Sequence, residues 1–320
     1  MKLQRWFASC LACGALLVVG TSTQAAVIPT SFGVGADAEV REETPTTNRG
    51  TSNEIATRIV DNWPLGNAND GNDRNSFIYL KFDLTGQPLL GTKKTAVRLT
   101  YRNTNLTPNR ITDTATPNPA NRPGIAFYGL HPDHAGNTWT ETGITYLTAP
   151  GLTPDFNNGT KDYDTVDPDG AGPLVQPLIP LGVELFGALG TQNRLAVGDQ
   201  MLFDSPALDQ FIASALSKGK TTVTIVAGIA HDGKIPINDW KNFNYLFNPK
   251  EMTTLTVDTG YDSDTTNPSN PLGSPWSGAS NATDANGYSP FSPQLLIVPE
   301  PASFALLGLG ALGMLAVRRR

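Results

Sequence analysis

Ser76-Phe77-Ile78-Tyr79-Leu80-Lys81-Phe82-Asp83-Leu84 is the stretch on which the reading of this chain turns. Ile78, Leu80, Phe82 and Leu84 fall on one side of an extended backbone, and Lys81 and Asp83 on the other. That alternation is the mark of a half-buried antiparallel strand. Residues 36–41, 54–60, 95–102, 124–130, 221–230, 253–257 and 294–298 carry similar alternating or compact apolar patterns between turn residues. Either 253–257 or 294–298 can close the core, and the later segment is favoured because it runs straight into the C-terminal tail. Gly, Pro, Asn, Asp and Thr are abundant and helical periodicity is scarce, so an all-β fold of short strands is expected.

One helix stands out. Asp204 or Ser205 can cap it, Pro206 fits its first turn, Leu208, Phe211, Ile212 and Leu216 form an apolar stripe, and Gly219 sits at the C-cap. Residues 103–123, 153–180 and 258–293, rich in Asn, Pro, Asp, Gly or Ser, read as long loop excursions from the domain.

The two ends read as targeting segments. Lys2 and Arg5 precede an apolar run at 6–20, and small residues follow at 21–26, so 1–26 is expected to be a signal peptide removed by signal peptidase after Ala25 or Ala26. Cys10 and Cys13 lie inside it, so their C-x-x-C spacing marks neither a redox nor a metal site. At the other end Val298-Pro299-Glu300-Pro301 leads into an uncharged apolar stretch, 302–317, and then Arg318, Arg319 and Arg320. Those sixteen apolar residues would make a helix of about 24 Å, shorter than the roughly 30 Å hydrocarbon core, and Gly308, Gly310 and Gly313 weaken it. The arginines act as a stop-transfer signal and stay cytoplasmic, which puts everything before Val298 outside. A permanent C-terminal membrane helix is the alternative.

This order of Pro-rich motif, apolar segment and basic stop resembles the PEP-CTERM sorting tail of certain Gram-negative bacteria with extracellular matrix. The resemblance implies that exosortase, a membrane protease, cuts near the motif and releases or transfers a chain anchored only transiently in the inner membrane. The expected destination is the cell surface or the matrix of a biofilm.

Loss of both ends lowers the basic count from 23 to 18 against 29 acidic residues, a net charge of −11 for residues 27–301. Such a surface repels phosphate backbones, so nucleic acid is not an expected partner.

Three local patterns, taken in order, resemble the DNRLRE domain, related to carbohydrate-binding module family 96. The first is Ser76 to Leu84 followed by Ala96-Val97-Arg98-Leu99-Thr100-Tyr101. The second is Thr138-Trp139-Thr140-Glu141 with Ile144-Thr145-Tyr146 and Pro150, where the family commonly has Trp in place of Tyr146. The third is the helix, the strand after it, Asn248-Pro249-Lys250-Glu251, where Asn248 replaces the usual Ser, and the closing Ser292-Pro293-Gln294-Leu295-Leu296-Ile297. The resemblance implies a jelly-roll-type antiparallel β-sandwich over residues 27–298, with the sorting tail at 298–320.

Candidate chemistry is sparse. His131 and His134 lack the helical spacing and Glu of a zinc protease, and no G-x-S-x-G elbow or P-loop occurs. Glu141, Glu184, Asp239 and Glu251 are the carboxylates from which a glycoside hydrolase could draw an acid and a base, but no enzymatic role is expected. Asp162, Asp164, Asp167 and Asp169, before Gly170, offer alternating oxygens to a structural Ca²⁺, and Asp70, Asn72 and Asp73 form a second acidic cluster. For exopolysaccharide, Trp63, Trp240, Tyr245 and Trp276 lie in loop-like contexts where a ring can stack on a sugar. The expectation is therefore an exported, non-catalytic protein that associates with exopolysaccharide. A ligand-free structural matrix protein and a polysaccharide-degrading enzyme are the alternatives.

Overall fold

The computed structural model describes residues 26–59, 75–87, 93–101, 124–152, 178–184, 200–230, 243–252 and 291–299. In chain order its strands are β1 (Ala26–Pro29), β2 (Ala36–Arg41), β3 (Ile55–Ile59), β4 (Ser76–Asp83), β5 (Lys93–Thr100), β6 (Ile125–Leu130), β7 (Leu178–Glu184), β8 (Gln200–Asp204), β9 (Thr222–Ile229), β10 (Phe243–Phe247) and β11 (Gln294–Pro299). Helix α1 (Pro206–Ser217) joins β8 to β9, and a short 3₁₀ turn covers Ala135–Thr138. One sheet has the order β1-β11-β5-β8. The other runs β10-β3-β4-β9-β6-β7, with β2 also paired to β4. Every pairing is antiparallel.

β4 shows why two sheets form. Ile78, Leu80 and Phe82, with Leu84 just beyond, enter a core shared with Val97, Leu99, Phe203, Leu295 and Ile297 of the smaller sheet. Phe127 of β6 stacks on Phe203 of β8 across this interface, with ring centres 4.2 Å apart and planes 11° from parallel.

The expected solvent face of β4 is not solvated, because the entire strand is buried. Phe77 and Tyr79 join Ala36, Ala38, Val40, Trp139, Tyr146 and Leu152 in a second apolar cluster outside the sheet. The segment following β6 supplies this cover. Tyr79 donates its hydroxyl to the Pro150 carbonyl at 3.1 Å, and Trp139 Nε1 donates to Thr224 Oγ1 at 3.0 Å. Lys81 donates to the Trp139 carbonyl and lies 4.6 Å over that indole ring. Burial lowers the Lys81 pKa to about 8. The charge in the pattern is thus inside the cover, held by a carbonyl and a ring face.

Four strands were not expected: β1, β7, β8 and β10. β7 takes Leu178, Ile179 and Pro180 out of the proposed 153–180 excursion, and Phe291 and Ser292, at the end of the 258–293 excursion, are buried beside β11. β7 ends the larger sheet, where Pro180 needs no ladder hydrogen bond, and its register with β6 shifts between Phe127 and Tyr128. Segment 253–257 lies outside the described residues, while β11 occupies a place between β1 and β5. Ala26 pairs with Ile297, so the chain enters β1 beside the point where it leaves β11.

Helix α1 follows its local signals. Ser205 Oγ accepts from Leu208 N at 3.0 Å, and Leu208, Phe211, Ile212, Ala215 and Leu216 are buried. Gly219, at φ +68°, donates to Leu216 O while Lys220 N donates to Ala215 O, the paired bonds of a Schellman stop. Asp209 Oδ1 accepts from Thr95 N at 2.6 Å and Thr95 Oγ1 at 2.8 Å, tying the helix to β5. Among the described residues no helix is long and apolar enough to cross a membrane.

Candidate functional site

At the β2 edge of the sandwich, three chain regions distant in sequence converge. β2 is antiparallel to β4 with Asp37 opposite Leu80, which turns the carboxylate toward the inner face, since paired residues project to the same side. Thr30, just after β1, donates to Asp37 Oδ2 at 2.5 Å, and the Lys250 backbone N–H donates to the same oxygen at 3.1 Å. Asp37 and Thr30 are wholly buried.

Glu141 arrives from the outer cover. The turn at Asn48 fixes it: Asn48 Nδ2 donates to the carbonyls of Glu141 at 2.6 Å and Ile144 at 2.7 Å. Gly50 lies so close that a Cβ there would stand 2.0 Å from Glu141 O. Glu251 comes from the segment after β10, where Pro249 O accepts from Met252 N. Lys250 Nζ pairs with Glu141 Oε2 at 2.5 Å and reaches the Gly35 carbonyl at 3.4 Å.

Asp37, Glu141 and Glu251 each present a carboxylate oxygen within 4.8 Å of the other two. Asp37 Oδ1, Glu141 Oε1 and Glu251 Oε2 are buried without a hydrogen-bond partner. Desolvation raises the Asp37 pKa to about 7, against the opposing pull of its Thr30 bond. Glu251 is raised as well, first by burial and then by the charge of Asp37. The neighbouring Glu141 carboxylate adds to the rise of Glu251. Chemically, such an arrangement can take up protons or a hard cation.

The remaining sites are spread out. Glu184 ends β7, away from this cluster, and burial together with the charge of Asp204 raises its pKa from 4.5 to about 7. The folded chain holds this proton more tightly than the unfolded chain does. The associated stability is full below pH 4.5, falls as pH climbs to about 7 and stays lost above it. Glu184→Gln is expected to raise the Tm at pH 8 by a few degrees and to leave it unchanged at pH 4. Thermal melts at the two pH values check this.

Tyr245 requires a correction. It sits on β10 rather than in a loop and is 1 % exposed in the inter-sheet core, so it offers no ring face to a sugar. Trp63, Trp240, Trp276, Asp162, Asp164, Asp167, Asp169, Asp70, Asn72, Asp73 and Asp239 lie outside the described residues, as do Glu300, Pro301, Arg318, Arg319 and Arg320. Val298 and Pro299 form the end of β11. Asp37 was missed by the sequence reading. Its signal is an acid between two alanines, Ala36 and Ala38, inside an otherwise compact strand.

The described chain is thus a two-sheet antiparallel β-sandwich with one covered outer face and a carboxylate cluster at its β2 edge. Residues 298–320 match the sequence model of the PEP-CTERM protein-sorting motif. That motif indicates exosortase-dependent sorting to the cell surface. No curated protein matches the chain.

Proposed function

We propose that this protein is a non-catalytic surface or matrix module of a Gram-negative bacterium, led out by an N-terminal signal and held briefly in the inner membrane by its tail. Exosortase processing then leaves it in association with exopolysaccharide. The observation that carries the reading is the sorting motif at 298–320, which begins on the last two residues of β11, so that the tail continues from a core strand without a spacer. The two antiparallel sheets support the β-sandwich part of this reading, while its DNRLRE type rests on the sequence resemblance alone, whose second pattern places Trp139 beside β4 and Glu141 at the β2 edge. Burial of one oxygen each of Asp37, Glu141 and Glu251 supports the non-catalytic reading, because a glycosidase acid and base must both face the sugar.

The test is retention of the exported protein on the producing strain's own polysaccharide, with and without calcium. Retention that falls at least tenfold in a Trp63→Ala, Trp240→Ala, Trp276→Ala variant is the expected result. No retention in either condition removes the glycan from the proposal, and release of reducing ends would replace it with a hydrolase. Burial of Tyr245 favours a second reading, a ligand-free matrix spacer, because it removes one of four sugar platforms. Unchanged retention in the triple variant would decide for that spacer.

A further inference from the structure

We propose that Asp37, Glu141 and Glu251 form a calcium site that clamps the β2 edge of the sandwich. Three carboxylates within 4.8 Å of one another, with Lys250 as their paired ammonium, leave a formal charge of −2 when all are ionised. A divalent cation cancels that charge. The free atoms are all hard oxygens, with no thiol or imidazole among them, which selects calcium or magnesium over zinc and copper.

Two observations beyond the clustering point to an ion. Asp37 is fully buried, and while Oδ2 accepts from Thr30 and Lys250, Oδ1 has no donor at all. Glu141 repeats the division, with Oε2 on Lys250 and Oε1 unpartnered, and Glu251 leaves Oε2 unpartnered. Buried acceptor oxygens without donors are rare and costly in a native protein. Here three occur together, and the donors that are present orient each of two carboxylates with its second oxygen left over.

Coordination flexibility favours calcium. Mg²⁺ demands a near-ideal octahedron and keeps several of its waters, whereas Ca²⁺ accepts irregular sets of six to eight oxygens. The members of this cluster hang from three separate segments, with their ligand oxygens within 4.8 Å of one another. Three protein carboxylates leave several of the six to eight calcium positions to water or bidentate contact. This places the affinity in the 10⁻⁴–10⁻³ M class of extracellular modules rather than with cytosolic buffers. The clamp would therefore close outside the cell, a timing that rests on the export reading, whereas binding itself does not.

The experiment uses the exported protein stripped with EDTA. Calcium at about a hundredfold excess over its Kd should raise the Tm by roughly 5–10 °C, and magnesium at the same concentration by much less. Terbium should bind in place of calcium and luminesce on tryptophan excitation, because Trp139 lies two residues from Glu141, within about 7 Å of chain. Added calcium should quench that signal. Glu251→Gln and Glu141→Gln should each weaken calcium at least tenfold, and the Glu251→Gln protein without metal should melt no lower than the stripped parent, since one repelling charge is gone. Absence of both the calcium shift and the terbium signal overturns the proposal. So does an undiminished calcium affinity in both variants, which would put the ion elsewhere on the chain.

Discussion

Phe203→Ala is expected to destabilise the domain by about 3–5 kcal/mol, lowering the Tm by roughly 10 °C or more. Phe203 is fully buried and stacks on Phe127 between the two sheets, so truncation opens a cavity where β8 and β6 meet. The surrounding strands are fixed by ladders on both sides and can collapse only partly into the space. Urea unfolding of Phe203→Ala, Phe127→Ala and the double variant checks this. The double variant should lose about 0.5–1.5 kcal/mol less than the sum of the singles, the part due to stacking itself. A loss below about 1 kcal/mol for Phe203→Ala would mean that the sheets do not meet there.

Gly50→Ala should destabilise the domain by about 2–3 kcal/mol. The added carbon would meet Glu141 O at 2.0 Å and Glu141 C at 2.7 Å, and backbone cannot swing aside as a flexible side chain can. Either the Asn48 turn or the Glu141 segment must shift, breaking the two bonds that Asn48 donates. Calcium response should fall with stability, because Glu141 is displaced. Asn48→Ala is the milder companion, losing about 1–2 kcal/mol through the two hydrogen bonds without a clash. Melting both proteins with and without calcium separates loss of fold from loss of the site, since a purely structural defect would leave the calcium shift intact.

The strands that could be read in advance were those whose burial follows from their own residues. β4, β5, β6 and β9 carry enough Ile, Val, Leu and Phe to be recognised without their partners. β1, β7, β8 and β10 depend on position. β7 contains Pro180 and Gly182, turn signals in isolation but tolerable at the edge of a sheet. β10 interrupts its aromatics with Asn244, and only its place beside β3 shows why Tyr245 is buried. The same limit explains the outer face of β4. Alternation predicted water on that side, and the cover comes from residues more than 50 positions away, through Trp139. For the carboxylate site, Glu141 and Glu251 were visible as acids, but nothing local could bring them together with Asp37. Their meeting is a product of sheet order, with β2 beside β4 and the Asn48 turn drawing the outer segment over the edge.

The β1–β11–β5 register also has a mechanical meaning. A tail attached beyond Pro299 pulls on β11 along its own axis, and β11 is bonded on both flanks, through six residue pairs to β5 and four to β1. With the rest of the domain gripped by its surroundings, that pull loads the pairs together in shear, whereas a tether on an outermost strand would peel its bonds one after another. While the tail still holds the chain, drag on the domain falls on an interior strand of its smaller sheet, braced on both flanks.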